Sequence, residues 1–369
     1  MLLSFITLLF SSALPRAAGA ENTTATKLPF IALEEHWVSP AILSLNVTNP
    51  ILVDRSSQGP DLRLALQELG PNRLGNMTEG DVEIQVVSVA VVPGVLNNTA
   101  IARESNDQLA AAIAASAYPD RFRAFAFLPI AQPDAAAQEL ERTVKQHGFL
   151  GALIDNHLDN GTFYDGPAYN VFWAKAQELD VPIYLHPTVP DSDSVFNINE
   201  GRYAPSGIPG DEVTYNYPLD EAASLATGAW GWHIDVGSHF LRLYAAGVFD
   251  AFPRLKLVLG HMGEGVPFML ERADGILSPQ AVSRGRASLV EVWGRNIWVT
   301  TSGFFSTNTM ATVLRNTAVD KIMFSVDYPY SSTAKAKRFM EDLKNSALVN
   351  ETEWLAIARG NAENLLGIQ

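Results

Sequence analysis

The 369-residue sequence contains no cysteine. Disulfide cross-links, thiolate nucleophiles and thiolate metal ligands are all excluded, so any bound metal must be held by histidine and carboxylate groups. Basic residues are also scarce. Lys and Arg number 26 against 40 Asp and Glu, giving a formal net charge of −14. Nucleic acids and anionic membranes bind to basic faces, so neither is an expected partner. An acidic small molecule stays compatible, because a metal ion creates a local positive pocket in a negative protein. Internal repeats, low-complexity tracts and interdomain linkers are missing as well. With 47% hydrophobic and 18% charged residues, the chain has material for one large core and does not read as disordered.

What is present divides into a leader and a long mature segment. Leu2 to Phe10 is almost continuously apolar, and small residues follow as far as Ala18-Gly19-Ala20. Such a run is too short to span a bilayer, and its ending resembles a processing site, so residues 1–20 are expected to be a signal peptide and the protein to enter the secretory pathway. Six N-x-S/T sequons, at Asn22, Asn46, Asn76, Asn97, Asn160 and Asn350, agree with export as a glycoprotein.

From residue 21 onward, short apolar runs alternate with helical patterns. Strands are expected at Phe30–Glu35, Val82–Val92, Phe122–Pro129, Phe149–Asp155, Val181–His186, Leu255–His261, Asn296–Thr301 and Lys321–Asp327. Most are unbroken apolar stretches, the pattern of strands covered on both faces. Helical spacing marks Arg103–Tyr118, Ala135–His147, Ala168–Asp180, Ser332–Ser346 and Glu351–Leu366. Eight strands alternating with helices predict an α/β fold, a (β/α)₈ TIM barrel in a single domain over residues 21–369. Two polar, turn-rich stretches, Thr48–Asp81 and Pro187–Asp220, are expected to be irregular insertions after the first and fifth strands.

In such a barrel the chemistry sits where the strands end at their C-termini. Four of these ends carry metal-ligand residue types. The first has Glu34-Glu35-His36, the fifth His186, the sixth His261 to Glu264, and the eighth Asp327. Residues two apart on a strand share a face, so Glu34 and His36 are expected to face the barrel mouth together, with Glu35 turned away. Joined by His186 and Asp327, they make a set of two carboxylates and two imidazoles suited to one divalent cation such as Zn²⁺ or Mn²⁺.

The motifs ALEEHW (Ala32–Trp37), IYLHP (Ile183–Pro187), LGHMGEGVPF (Leu259–Phe268), FSVDYPY (Phe324–Tyr330) and GNAENLLGI (Gly360–Ile368) occur in an order and spacing that resemble the amidohydrolase-related metal-dependent decarboxylases. This group acts on γ-resorcylate, 2,3-dihydroxybenzoate, 6-methylsalicylate and aminocarboxymuconate semialdehyde. The resemblance implies Glu34, His36, His186 and Asp327 as ligands of one ion, Zn²⁺ first and Mn²⁺ or Mg²⁺ as alternatives, with no organic cofactor. It implies His261 and Glu264 as a supporting catalytic pair, Arg272 as a substrate-facing cation that in relatives sometimes reaches a neighbouring subunit, Trp37 as a pocket-shaping aromatic, and a homodimer or homotetramer. The implied reaction is nonoxidative decarboxylation of a phenolic acid of hydroxybenzoate, 6-methylsalicylate or orsellinate type, in which Asp327 protonates the ring carbon bearing the carboxylate. The same site also suits a secreted hydrolase of an amide, ester or lactone. The Glu-x-His spacing at residues 34 and 36 disfavours that, since hydrolytic relatives usually carry His-x-His there. A noncatalytic ligand-binding barrel is the third reading, and the full set of candidate ligands disfavours it.

Overall fold

The computed structural model describes residues 29–45, 61–90, 94–190, 202–203 and 217–368. The leader, the sequons Asn22 and Asn46, residues 48–60 of the first expected insertion and most of the second lie outside the described residues. Eight parallel strands appear where the apolar runs predict them: β1 (Phe30–Trp37), β2 (Val82–Val89), β3 (Phe122–Ala124), β4 (Ala152–Asp155), β5 (Pro182–His186), β6 (Lys256–Leu259), β7 (Ile297–Thr300) and β8 (Ile322–Met323). The regular ladders form two sheets, β1-β2-β3 and β4-β5-β6-β7-β8. Single parallel bridges join their edges, Ala126 to Ala152 and Tyr328 to Glu35, so the strand ring runs from β1 back to β1. Several strands are shorter than their apolar runs. In β8 the ladder stops at Met323, and beyond it the chain is held by Phe324 N–H donating to the Ile357 carbonyl at 2.9 Å and by side chains. Ser325 N–H donates to Thr301 Oγ1 at 2.9 Å and Val326 N–H to Glu35 Oε1 at 3.0 Å.

The core has two layers. Inside the ring, Ile31, Leu33, Ile84, Val86, Leu153, Tyr184, Val258 and Met323 pack together, floored by Leu365 and Ile368 at the C-terminus. Between strands and helices a much larger apolar layer includes Phe30, Ala32, Trp37, Trp173, Phe240 and Trp293. Burying single side chains of this size stabilises by about 1.5–3 kcal/mol each, which explains how the fold manages without disulfides.

The stretch Thr48–Asp81 corrects an expectation. Its described part is not irregular but holds the helices Asp61–Gln67 and Pro71–Glu79. Leu62, Leu66, Leu74 and Met77 are buried at helical spacing, and Pro71 starts the second helix where its missing N–H is harmless. The one narrow apolar stripe is easily lost in a polar composition. Other helices fall close to expectation, Thr99–Ala115, Asn170–Leu179 and Thr333–Asn345 among them. Two expected helices contain a π turn, at Thr143–His147 and Ala356–Gly360; the first ends on left-handed Gly148. Among the remaining sequons, Asn97 and Asn160 are exposed, Asn76 is half-buried in a helix, and the Asn350 side chain caps the helix Glu351–Leu355. No helix among the described residues is long and apolar enough to cross a membrane.

Candidate active site

The strand ends converge on a cavity of about 470 Å³ lined by His36, Asp155, His186, His233, His261 and Asp327, with apolar walls that include Leu153, Val189, Trp232 and Phe304. A shift in the β1–β2 register between Ala32 and Glu35 sets its centre. Ile31 and Leu33 point into the barrel, yet Glu34 does too, because the strand bulges there. The consecutive N–H groups of Leu33 and Glu34 both donate to Ser325 Oγ, at 3.3 and 2.8 Å. Bulges next to active sites re-aim side chains in this way. After the bulge, alternation resumes with Glu34 and His36 inward, Glu35 and Trp37 outward.

Glu34 is completely buried. Its Oε2 accepts a hydrogen bond from the Tyr184 hydroxyl, which also contacts Thr300 Oγ1 at 2.6 Å and Ser302 Oγ at 3.0 Å. Its Oε1 faces three imidazoles: His186 Nε2 at 3.3 Å, His261 Nε2 at 3.8 Å and His36 Nε2 at 4.0 Å. Asp327 Oδ1 lies 3.1 Å from His36 Nε2. Glu34 Oε1 and His36 Nε2 are buried with no hydrogen-bond partner in the protein. Leaving two such atoms unpaired costs about 1–3 kcal/mol each, so their shared orientation toward one point, with His186 and Asp327 around it, fits a cation that satisfies them all. Glu34, His36 and His186 hold donor atoms within 4.8 Å of one another. The donor set therefore fits the divalent ion that the sequence suggests.

Electrostatics agree. Burial would raise the Glu34 carboxyl, but the charges of His261, His186 and His36 outweigh it and hold the group far below the usual carboxylate range. Burial likewise opposes ionisation of Asp327, and the His261 and His36 imidazoles pull it down. His261 is destabilised as a cation by burial, yet the surrounding Glu34, Glu264 and Asp327 raise it well above an ordinary histidine. Its Nδ1 is bound to Glu264 Oε1 at 2.8 Å, while Nε2 lies 3.9 Å from Asp327 Oδ2. Backbone strain is concentrated in the same residues. Asp327, His261, Met262 and Glu264 have φ of 69°, 44°, 60° and 55°, the left-handed region that non-glycine residues occupy at a cost of about 1–3 kcal/mol. Gly260 is required: an added Cβ would lie 2.8 Å from Glu34 Oε2 and 3.0 Å from the Tyr184 hydroxyl.

Six of the expected residues thus meet: Glu34, His36, His186, Asp327, His261 and Glu264. Two do not. Trp37 does not shape this cavity; it is buried in the outer layer, near Leu69 and Leu74, because alternation along β1 turns it away from His36. Arg272 is exposed on the helix Val266–Ser283 and does not line this cavity; Val266 and Leu270 form the buried side of that helix. Three participants escape the sequence reading. Tyr184 precedes His186 by two and so shares its face, a usable signal. Asp155 at the end of β4 lies 3.9 Å from His186 Nδ1, and burial raises its carboxyl to about 7. His233 comes from the helix Gly231–Ala246, whose first turn carries no strand-end signal.

Comparison with known proteins settles the family. The amidohydrolase family model matches residues 47–368. The chain belongs to that family. Decarboxylase orsB of Emericella nidulans is 46% identical over 343 residues, covering 92% of this chain and 97% of that protein. Gamma-resorcylate decarboxylase of Rhizobium radiobacter is 34% identical, covering 91% of this chain and 97% of its own. The crystal structure of dihydroxybenzoic acid decarboxylase from Polaromonas sp. JS666, with bound manganese and the inhibitor 2-nitroresorcinol, superposes with a TM-score of 0.77 at 32% identity, over 92% of this chain and 97% of that one. The barrel class expected from the strand count holds across this family.

Proposed function

We infer that the protein is a metal-dependent carboxy-lyase that removes the carboxylate of a phenolic aromatic acid. The observation that carries this reading is the pair of orphaned buried atoms, Glu34 Oε1 and His36 Nε2, facing an apolar-walled cavity of about 470 Å³ that suits one aromatic ring. Relatives that match over nearly the whole chain and are decarboxylases support the reaction class. Glu34, His36, His186 and Asp327 would hold the ion, and an ion there supplies Lewis acidity and a fixed orientation for an acid with an ortho hydroxyl. The donor set suits Zn²⁺ or Mn²⁺, and manganese in the Polaromonas relative favours keeping both in a metal assay.

The chain's own groups manage the proton. His261 Nε2 lies 3.9 Å from Asp327 Oδ2, so a closer approach of the two when substrate binds would pass the imidazolium proton to Asp327. Asp327 delivers it to the carbon bearing the carboxylate. The bond to the carboxylate then breaks, its electron pair restores the aromatic ring, and CO₂ leaves. One proton is consumed per turnover and no electrons are exchanged. Leu153, Val189 and Phe304 keep the ring in an apolar setting that disfavours water as the attacking group.

Two further readings accompany this one. Self-association as a dimer or tetramer through the helix Val266–Ser283 is supported by its exposed Phe268 (80%) and Ile276 (61%), with Arg272 on the same side. Passage through the secretory pathway rests on residues 1–20.

The test is to incubate purified protein, loaded with Zn²⁺ or Mn²⁺, with 2,6-dihydroxybenzoate, 6-methylsalicylate and orsellinate. The expected result is release of CO₂ and the matching phenol from at least one acid, abolished by chelation. Hydrolysis of an amide, ester or lactone without any decarboxylation would overturn it.

A further inference from the structure

We propose that His233 is a positioning residue that holds the His261–Glu264 pair in its working geometry. Glu264 is 1% exposed, and each of its oxygens has its own imidazole: Oε1 meets His261 Nδ1 at 2.8 Å and Oε2 meets His233 Nδ1 at 2.6 Å. Trp232 Nε1 donates to His233 Nε2 at 3.1 Å. Nε2 also lies 3.2 Å from the Gly228 carbonyl oxygen, and at Nδ1 the partner is a carboxylate oxygen that can only accept, so Nδ1–H donates to Glu264. A buried carboxylate gripped at one oxygen can still swing about its last torsion. Gripped at both, from two different elements, its plane is fixed, and with it the ring of His261.

The backbone explains why a second grip is needed. His261, Met262 and Glu264 all occupy left-handed φ, a turn that persists only where its surroundings over-determine it. The helix Gly231–Ala246 provides that surrounding directly. A Cβ added at Gly237 would lie 2.9 Å from the Glu264 carbonyl oxygen, so the helix backbone rests on the turn while His233, one turn earlier, holds the side chain. The ring centroids of His233 and His261 are 4.6 Å apart. His233 is not among the four residues that would hold the ion at the strand ends; it lines the cavity, and with His261 and Glu264 it brings polar atoms within 4.8 Å of one another.

The inference rests on the reading that His261 takes part in decarboxylation, and the experiment separates the two. In metal-loaded enzyme, His233→Ala is expected to lower kcat about 10–100-fold, the usual effect of removing an outer partner, with KM, inhibition by 2-nitroresorcinol and bound-ion content all changed less than about twofold. His233→Asn, whose amide nitrogen replaces Nδ1, should recover most of the rate. In a His261→Asn background, His233→Ala should add nothing. Full kcat in His233→Ala, where His261→Asn is impaired, overturns the positioning role alone. So does equal impairment of the Ala and Asn variants, or an additive loss in the double variant. Full activity in His261→Asn overturns the underlying reading of the site and the positioning role with it.

Discussion

The two faces of β1 carry acidic and aromatic residues in alternation, yet they do opposite work. Inward, Glu34 and His36 present unpaired atoms to the cavity. Outward, both oxygens of Glu35 are hydrogen-bonded by the protein and Trp37 is buried in the outer layer. Gln85 Nε2 donates to Glu35 Oε2 at 2.9 Å, and Val326 N–H closes onto Oε1. Behind them, buried Arg73 donates to the His36 carbonyl, to the Glu68 carbonyl at 2.9 Å and to Gln85 Oε1 at 3.2 Å, with its guanidinium 4.7 Å over the Tyr328 ring. The outer network ties β1 to the segment that carries Asp327, so one face fixes the positions and the other does the chemistry. On the outer face burial comes with partners, whereas on the inner face Glu34 Oε1 and His36 Nε2 converge on one point that fits a cation.

Substitutions on each side should separate these roles. On the inner side the largest effect is expected at the proton donor: Asp327→Asn should lower kcat by roughly 10²–10⁴-fold without unfolding the protein, as steady-state kinetics and circular dichroism would show. The largest outer effect is expected for Arg73→Met, which strands buried carbonyls and should cost about 3–5 kcal/mol of stability in urea titrations, with ion content per folded molecule unchanged. Tyr184→Phe removes the donor to Glu34 Oε2; weaker ion binding by about 10–100-fold is expected, read by competition with a chelator, at little loss of stability. Trp37→Phe should cost roughly 0.5–3 kcal/mol and leave KM unchanged; a large change in substrate preference would return Trp37 to the pocket.

A smaller effect concerns pH. Burial, outweighing the Val326 N–H and the Arg73 charge, raises the Glu35 carboxyl to about 8. In the unfolded chain it titrates near its ordinary value of 4.5. Between these values the folded state binds more protons than the unfolded one, so Glu35 makes stability fall as pH rises from 4.5 toward 8. Glu35→Gln should flatten that slope in denaturation curves, and an unchanged slope would contradict a neutral, buried Glu35.

Much of this was legible in the sequence because barrel strands are short apolar runs and their ends are polar. Glu34, His36, His186, His261, Glu264 and Asp327 all stood at such ends, and all six meet. Trp37 was misplaced even though the alternation that brings Glu34 and His36 together also turns it outward. The bulge at Leu33–Glu34 left no local mark, since it depends on a serine almost three hundred residues away. His233 and Arg73 were illegible for the same reason. Each lies on a helix, and its importance comes from packing against a distant strand end rather than from its own neighbours.

The most direct test of the division between the two faces is metal content, measured by atomic emission on purified protein, for wild type, Glu34→Gln and Glu35→Gln. Wild type and Glu35→Gln should each retain one divalent ion per chain, and Glu34→Gln should lose it while remaining folded. Retention of the ion by Glu34→Gln together with its loss from Glu35→Gln would contradict the assignment of the inner face as the metal site.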